Sequence, residues 1–131
     1  MIFETILNKQ NMKKNPVTPK LHGIIDYVFS GIQFTAPSFI GLNASATKTY
    51  QALGTGFLTM NALSDTPVGI NRTISFKGHQ KADAAFLTTL SLLTFSNFIC
   101  KDRKALSFHL SFLSVAITHY ILTDYKAIFR K

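Results

Sequence analysis

The stretch Ala84–Cys100 reads AAFLTTLSLLTFSNFIC and holds no Asp, Glu, Lys or Arg. A helix on the surface of a water-soluble bundle shows a charged residue every third or fourth position on its outer face. Here Phe, Leu, Ile, Ser and Thr run all round instead. Three further stretches share the property: Tyr27 to Thr47, Thr49 to Ser64, and Ala105 to Thr123. Each is close to the length that crosses a hydrocarbon core, roughly 17–25 residues at ~1.5 Å rise. The pattern predicts an all-α fold of four membrane-spanning helices, over Pro19–Ile40, Ala46–Leu63, His79–Cys100 and Ala105–Thr123.

The whole chain agrees with that solvent. Of its 131 residues 47% are hydrophobic and 15% charged, against roughly 25% charged in a soluble domain. So much apolar material excludes disorder, and the single cysteine, Cys100, excludes a disulfide scaffold. Punctuation fits the spans. Thr18-Pro19 offers an N-cap followed by proline at the first helical position. Gly41-Leu42-Asn43 turns the chain, Pro67 and Gly69 stop the second helix, and Lys101–Lys104 makes a polar hairpin. Val68 to Lys77 alternates and reads as an ordered, extended connector. Met1 to Lys14 has Ile2, Phe3, Ile6 and Leu7 on one face. It reads as an amphipathic helix on the headgroups or a frayed tail, within a flexible segment 1–17 preceding a single domain, 18–131.

Fourteen Lys and Arg oppose six Asp and Glu, a formal charge of +8. Ten of the fourteen fall on one side of the predicted bilayer: Lys9, Lys13, Lys14, Lys20, Arg72, Lys77, Lys81, Lys126, Arg130 and Lys131. The positive-inside rule then places both termini and the central connector in the cytoplasm of a multi-pass inner-membrane protein. Basic residues dispersed over span ends exclude nucleic acid as a partner and favour anionic headgroups. A second copy or a larger membrane complex is the protein partner expected.

The chain also repeats itself. Lys20-Leu-His22-Gly-Ile-Ile-Asp26 opens the first helix and Lys77-Gly-His79-Gln-Lys-Ala-Asp83 the third, 57 residues on. Ala62-Leu63-Ser64-Asp65 closes the second and Ile121-Leu122-Thr123-Asp124 the fourth, 59 residues on. Repeats over about 20–66 and 77–125 predict two helical hairpins related by a pseudo-twofold axis along the membrane normal.

That duplication gathers the rare acidic residues. His22, Asp26, Asp65, His79, Asp83 and Asp124 all fall at the cytoplasmic helix ends, and each His–Asp pair at i, i+4 shares a helical face. Asp65 and Asp124 close their helices, where the dipole repels negative charge, so a cation, an imidazolium or backbone N–H groups must favour them. The functional expectation is a structural or accessory membrane subunit with this cluster as interhelical polar network. The alternative is a cation- or metal-binding protein, or one translocating protons or a small substrate. Histidine with carboxylate suits zinc, manganese or iron in kind. No catalytic residue or cofactor is assigned, and the balance is against an enzyme, because no phosphate loop, Ser-His-Asp order or Cys-x-x-Cys is present. Two further expectations concern packing. The stripes Ala52/Thr55/Thr59/Ala62 and Ser107/Ser111/Ser114/Thr118 read as close-approach surfaces between helices. His109 and His119 read as lone hydrogen-bonded histidines.

His22-Gly23-Ile24-Ile25-Asp26-Tyr27 together with Leu122-Thr123-Asp124-Tyr125 resembles the small bacterial membrane proteins of the SPW-repeat type. The likeness covers roughly residues 18 to 126. It implies a four-helix inner-membrane protein and no established chemistry. Ala36-Pro37-Ser38-Phe39 stands in the Ser-Pro-Trp place without its Ser and Trp, and Ser96-Asn97-Phe98 lacks the proline as well.

Overall fold

The computed structural model describes residues 15–127, together with Ile2. The amphipathic helix expected over Met1 to Lys14, and the basic residues Arg130 and Lys131, lie outside the described residues. Among those described the chain is all-helical: α1 Pro19–Phe39, α2 Ala44–Ala62, α3 Phe76–Leu93, the single turn α4 Asn97–Cys100, and α5 Arg103–Leu122. α1 packs along α2, α5 packs on α3 and α4, and α2 also touches α3 and α4.

Local chemistry sets the helix starts. The Thr18 hydroxyl accepts from the Leu21 amide, with Pro19 as the first helical residue. Asn43 Oδ1 accepts from Ala46, Ser75 Oγ from Gly78, and Asp102 Oδ1 from Lys104 and Ala105. Each supplies an acceptor to amides that the first turn leaves without one. Gly41 at φ +74° makes the α1–α2 turn, a left-handed conformation that favours glycine.

The third predicted span differs in two ways. It starts one turn early, because Ser75 caps it. It also stops at Leu93 and resumes only as α4. There the Leu90 carbonyl, which the Thr94 amide would normally take, receives the Thr94 hydroxyl at 3.3 Å and the His109 ring at 2.9 Å from Nε2. The Thr94 amide turns to Leu92 instead.

The connector after α2 is a run of turns and bends tied at its two ends, not the extended segment its alternation suggested, and Ile70 is exposed while Phe76 is buried. Ser64 bridges Ile74, and the Asp65 amide donates to Ile74 O at 2.7 Å. Its counterpart at the chain ends joins Val17 to Thr123, with the Asp124 amide on Val17 O at 2.8 Å.

The apolar core is a layer of rings and small residues in mid-molecule. Phe29 meets Phe112 edge-on at 5.5 Å, Phe57 lies against Phe86 at 4.6 Å, and Leu90, Ala46 and Ala105 are fully buried around them. The hydroxyl stripes do not pack inside the chain. Thr55, Thr59, Ser107, Ser111, Ser114 and Thr118 are all exposed, and each donates to the carbonyl one turn back. The close approach occurs instead at Gly54, where an added Cβ would stand 3.0 Å from that of Gln33.

Candidate metal centre

α1 and α3 each bring one His-x-x-x-Asp pair to the same end of the molecule, a turn inside their N-termini. The result is one compact constellation. His22 Nε2 stands 3.0 Å from His79 Nε2, 3.0 Å from Asp26 Oδ2 and 3.1 Å from Asp83 Oδ2. His79 Nε2 is 2.9 Å from Asp26 Oδ2 and 3.3 Å from Asp83 Oδ2. His22 and Asp26 are fully buried, His79 is 1% exposed and Asp83 6%. Two imidazole nitrogens and two carboxylate oxygens therefore converge on one point, a metal-ligand set in chemistry and spacing.

Three of the four are held from behind, and Asp83 is held at the inward oxygen itself. His22 Nδ1 meets the Thr123 hydroxyl at 2.7 Å, and His79 Nδ1 meets the Ser64 hydroxyl at 2.6 Å. Both hydroxyls already spend their single proton one turn back, Thr123 on His119 O and Ser64 on Met60 O, each at 2.6 Å. They can only accept from the rings. Each imidazole thus carries a proton on Nδ1 and turns Nε2 inward, the ring edge a metal ligand uses. Asp26 Oδ1 receives His119 Nε2–H at 2.9 Å. The Tyr125 phenol donates to Asp83 Oδ2 at 2.7 Å. Burial, with the facing Asp83 carboxylate, pushes the Tyr125 phenol above its ordinary range, so it remains a donor.

Rings close the site on the connector side: Phe76 lies over His79 at 5.7 Å and against Tyr125 at 5.3 Å, while His119 stacks on His22 at 4.1 Å. Toward mid-molecule the Phe29/Phe57/Phe112 layer seals it. One polar spur points that way. Asp26, Ser30 and Gln33 are all buried on one face of α1, and Gln33 Oε1 has no hydrogen-bond partner.

Of the six residues singled out from sequence, the structure unites His22, Asp26, His79 and Asp83. Asp65 is exposed in the turn after α2. Asp124 is buried, but its carboxylate is not one of the four converging groups. Both lie beyond their helices, which end at Ala62 and Leu122, so the dipole conflict expected for them does not arise. The informative position in Leu-Ser/Thr-Asp is the hydroxyl, not the acid. Sequence reasoning also missed Tyr125 and the role of His119. The Tyr after Leu-Thr-Asp was the signal at hand for the first; nothing local marks the second.

Comparison with family models, with curated proteins and with solved structures returned no match to the chain.

Proposed function

We propose that the protein is a four-span integral membrane protein that binds a divalent metal ion between His22, Asp26, His79 and Asp83, near the cytoplasmic face. The observation that carries the metal reading is the convergence of four lone-pair donors. With a proton on Nδ1 of both rings, the two Nε2 atoms stand 3.0 Å apart facing two carboxylate oxygens, so the cluster needs either a proton on each Nε2 or one shared cation. One added proton can face only one acceptor at a time. A single cation satisfies all four. Tetrahedral ligands at the usual zinc distances, about 2.0–2.2 Å, lie roughly 3.3–3.6 Å apart, and the five spacings above run from 2.9 to 3.3 Å, a little tighter than a loaded site. Nitrogen with carboxylate oxygen, and no thiolate, suits zinc, manganese or iron.

Support for the bilayer comes from where polarity sits. Asp26, Gln33, Asn61 and His79 are buried, whereas Val28, Leu92, Phe95, Val115 and Ile121 are more than half exposed. Exposed charges on the long helices (Lys20, Lys48, Lys77, Lys81, Arg103, Lys104) all fall within the first six residues of their helix, leaving an uncharged belt. Hydroxyls in the belt bond their own helix, as a hydrocarbon surround demands. Among the described helices only α5 is long and apolar enough to count as a span by itself. The others have lower hydropathy, α2 and α3 through exposed Lys, Ser and Thr as well as through the buried Asn61, His79 and Asp83.

The bundle reading adds a duplication. His22 meets His79, Tyr50 meets His109 and Asn43 meets Asp102, partners 57 or 59 residues apart touching each other. Equivalent residues touch only near a twofold axis, here along the membrane normal. The SPW-repeat likeness belongs to the same proposal, since its two motifs supply His22, Asp26, Thr123 and Tyr125. Basic residues place the termini in the cytoplasm of the inner membrane.

Elemental analysis of detergent-purified protein tests the function. The expected result is about one equivalent of metal, lost in His22→Ala/His79→Ala. Metal-free wild type, prepared without chelator and unresponsive to added zinc, manganese or iron, would return the cluster to the role of structural network in an accessory subunit.

A further inference from the structure

Beside the centre, α2 and α3 diverge and leave a lateral groove of about 510 Å³. Leu53, Phe57 and Met60 form one wall, Phe86 and Leu93 the other, and Asp83 stands at the connector end. Asp83 is also the least buried of the four converging groups. Along α3 the groove runs from residue 83 to residue 93, about 15 Å at the helical rise. That is half a hydrocarbon core of ~30 Å, the depth of one leaflet. The groove therefore runs from the uncharged belt to Asp83, the one converging residue in its lining, and is mainly apolar along its length.

We propose that this groove takes the chain of a membrane amphiphile whose head reaches the centre past Asp83. The proposal rests on the metal and membrane reading above, and the head group follows from charge. A divalent ion with Asp26, Asp83 and two neutral imidazoles sums to zero. An anionic head would bring unbalanced charge into a dry site, at high cost. A neutral head with a Lewis-basic oxygen, a hydroxyl or a carbonyl, matches. The ligand class is a neutral, oxygen-headed, long-chain molecule that enters sideways from the bilayer.

Gly56 lines the groove, and a Cβ built there meets nothing within 4 Å. Gly56→Leu and, one turn away, Ala52→Leu therefore fill the groove from its exposed side without intruding on the core. The probe is a hexadecan-1-ol carrying a mid-chain diazirine, photolysed with the full-length protein in detergent and mapped by mass spectrometry. Saturable labelling at Met60 and Phe86 is expected, competed by hexadecanol and at least tenfold less well by hexadecanoic acid or hexadecane. Either leucine variant should cut labelling at least fivefold with metal content unchanged and a melting temperature no lower than that of the wild type. Labelling that never saturates, that the hydrocarbon competes equally, or that both folded variants retain, is annular lipid contact and overturns the proposal. Metal content, read on the same samples, separates the two readings. A loaded protein with unsaturable labelling sinks the groove alone. Saturable, head-dependent labelling of a protein that takes up no ion supports the groove and sinks the centre.

Discussion

His22 and His79 meet Nε2 to Nε2 at 3.0 Å, each with its other ring nitrogen turned outward to a hydroxyl that has already spent its proton. This relationship turns the inner edge of both rings toward the two carboxylates, as an ion site requires. In a network of neutral rings one nitrogen of the pair would donate to the other. Here each hydroxyl takes a ring proton on the far side, which leaves both Nε2 edges to face the carboxylates or an ion.

Replacing those hydroxyls should weaken ion binding without touching a ligand. Ser64→Ala and Thr123→Val free the rings to turn and to change tautomer. Groups that orient metal ligands are worth about 10–100-fold in affinity, and each variant should show a loss of that size in chelator competition. Unchanged affinity in both would remove the tautomer argument.

His119 tests the carboxylate side. It donates to Asp26 Oδ1 from α5, and both groups are buried. His119→Leu leaves that oxygen without a donor, at about 1–3 kcal/mol or more for a charged acceptor. Thermal unfolding of His119→Leu, Asp26→Asn and the double variant should give a coupling of about 0.5–3 kcal/mol. Strict additivity would show that the bond contributes nothing.

Two glycines predict opposite outcomes. A Cβ on Gly69 would run into the Ser64 carbonyl, backbone that cannot yield without moving the hydroxyl on His79. Gly69→Ala should cost about 1–3 kcal/mol, as overpacking does, and should lower metal content as well. Gly56→Ala, in open space within α2, should gain about 0.5–1 kcal/mol from helix propensity. Melting curves of the pair check both signs.

At the opposite end, Asn43 Nδ2 donates to Asp102 at 2.8 Å, and with the Ala105 and Lys104 amides holds that carboxyl below the usual aspartate range. A depressed folded pKa means that the unfolded chain binds the proton more readily. The stabilisation is present above the unfolded value, ~3.9, and disappears as pH falls through the folded one. Asp102→Asn keeps a competent N-cap and removes the titration. Its melting temperature should fall less steeply with acid than that of the wild type; parallel acid limbs would refute the assignment.

The residues that could be read from sequence are those whose partners are local. Thr18-Pro19, Asn43 and Lys101–Lys104 mark helix ends within a few positions of the observed ones. His22 with Asp26, and His79 with Asp83, are legible because i, i+4 spacing places each pair on one face whatever surrounds it. Features fixed by distant partners were not legible. At the break after Leu93, His109 reaches from another helix to the Leu90 carbonyl. His119 acts on a carboxylate 93 residues away. Ser64 and Thr123 stood inside the recognised motif but beside more conspicuous aspartates. Their value appears only once an imidazole from the other half lies against them.

That crossing has a consequence of its own. Thr123 steadies His22, and Ser64 steadies His79, so each hairpin supplies the brace for the other's ligand and owns neither finished. A lone hairpin could assemble this centre only by pairing with a twin.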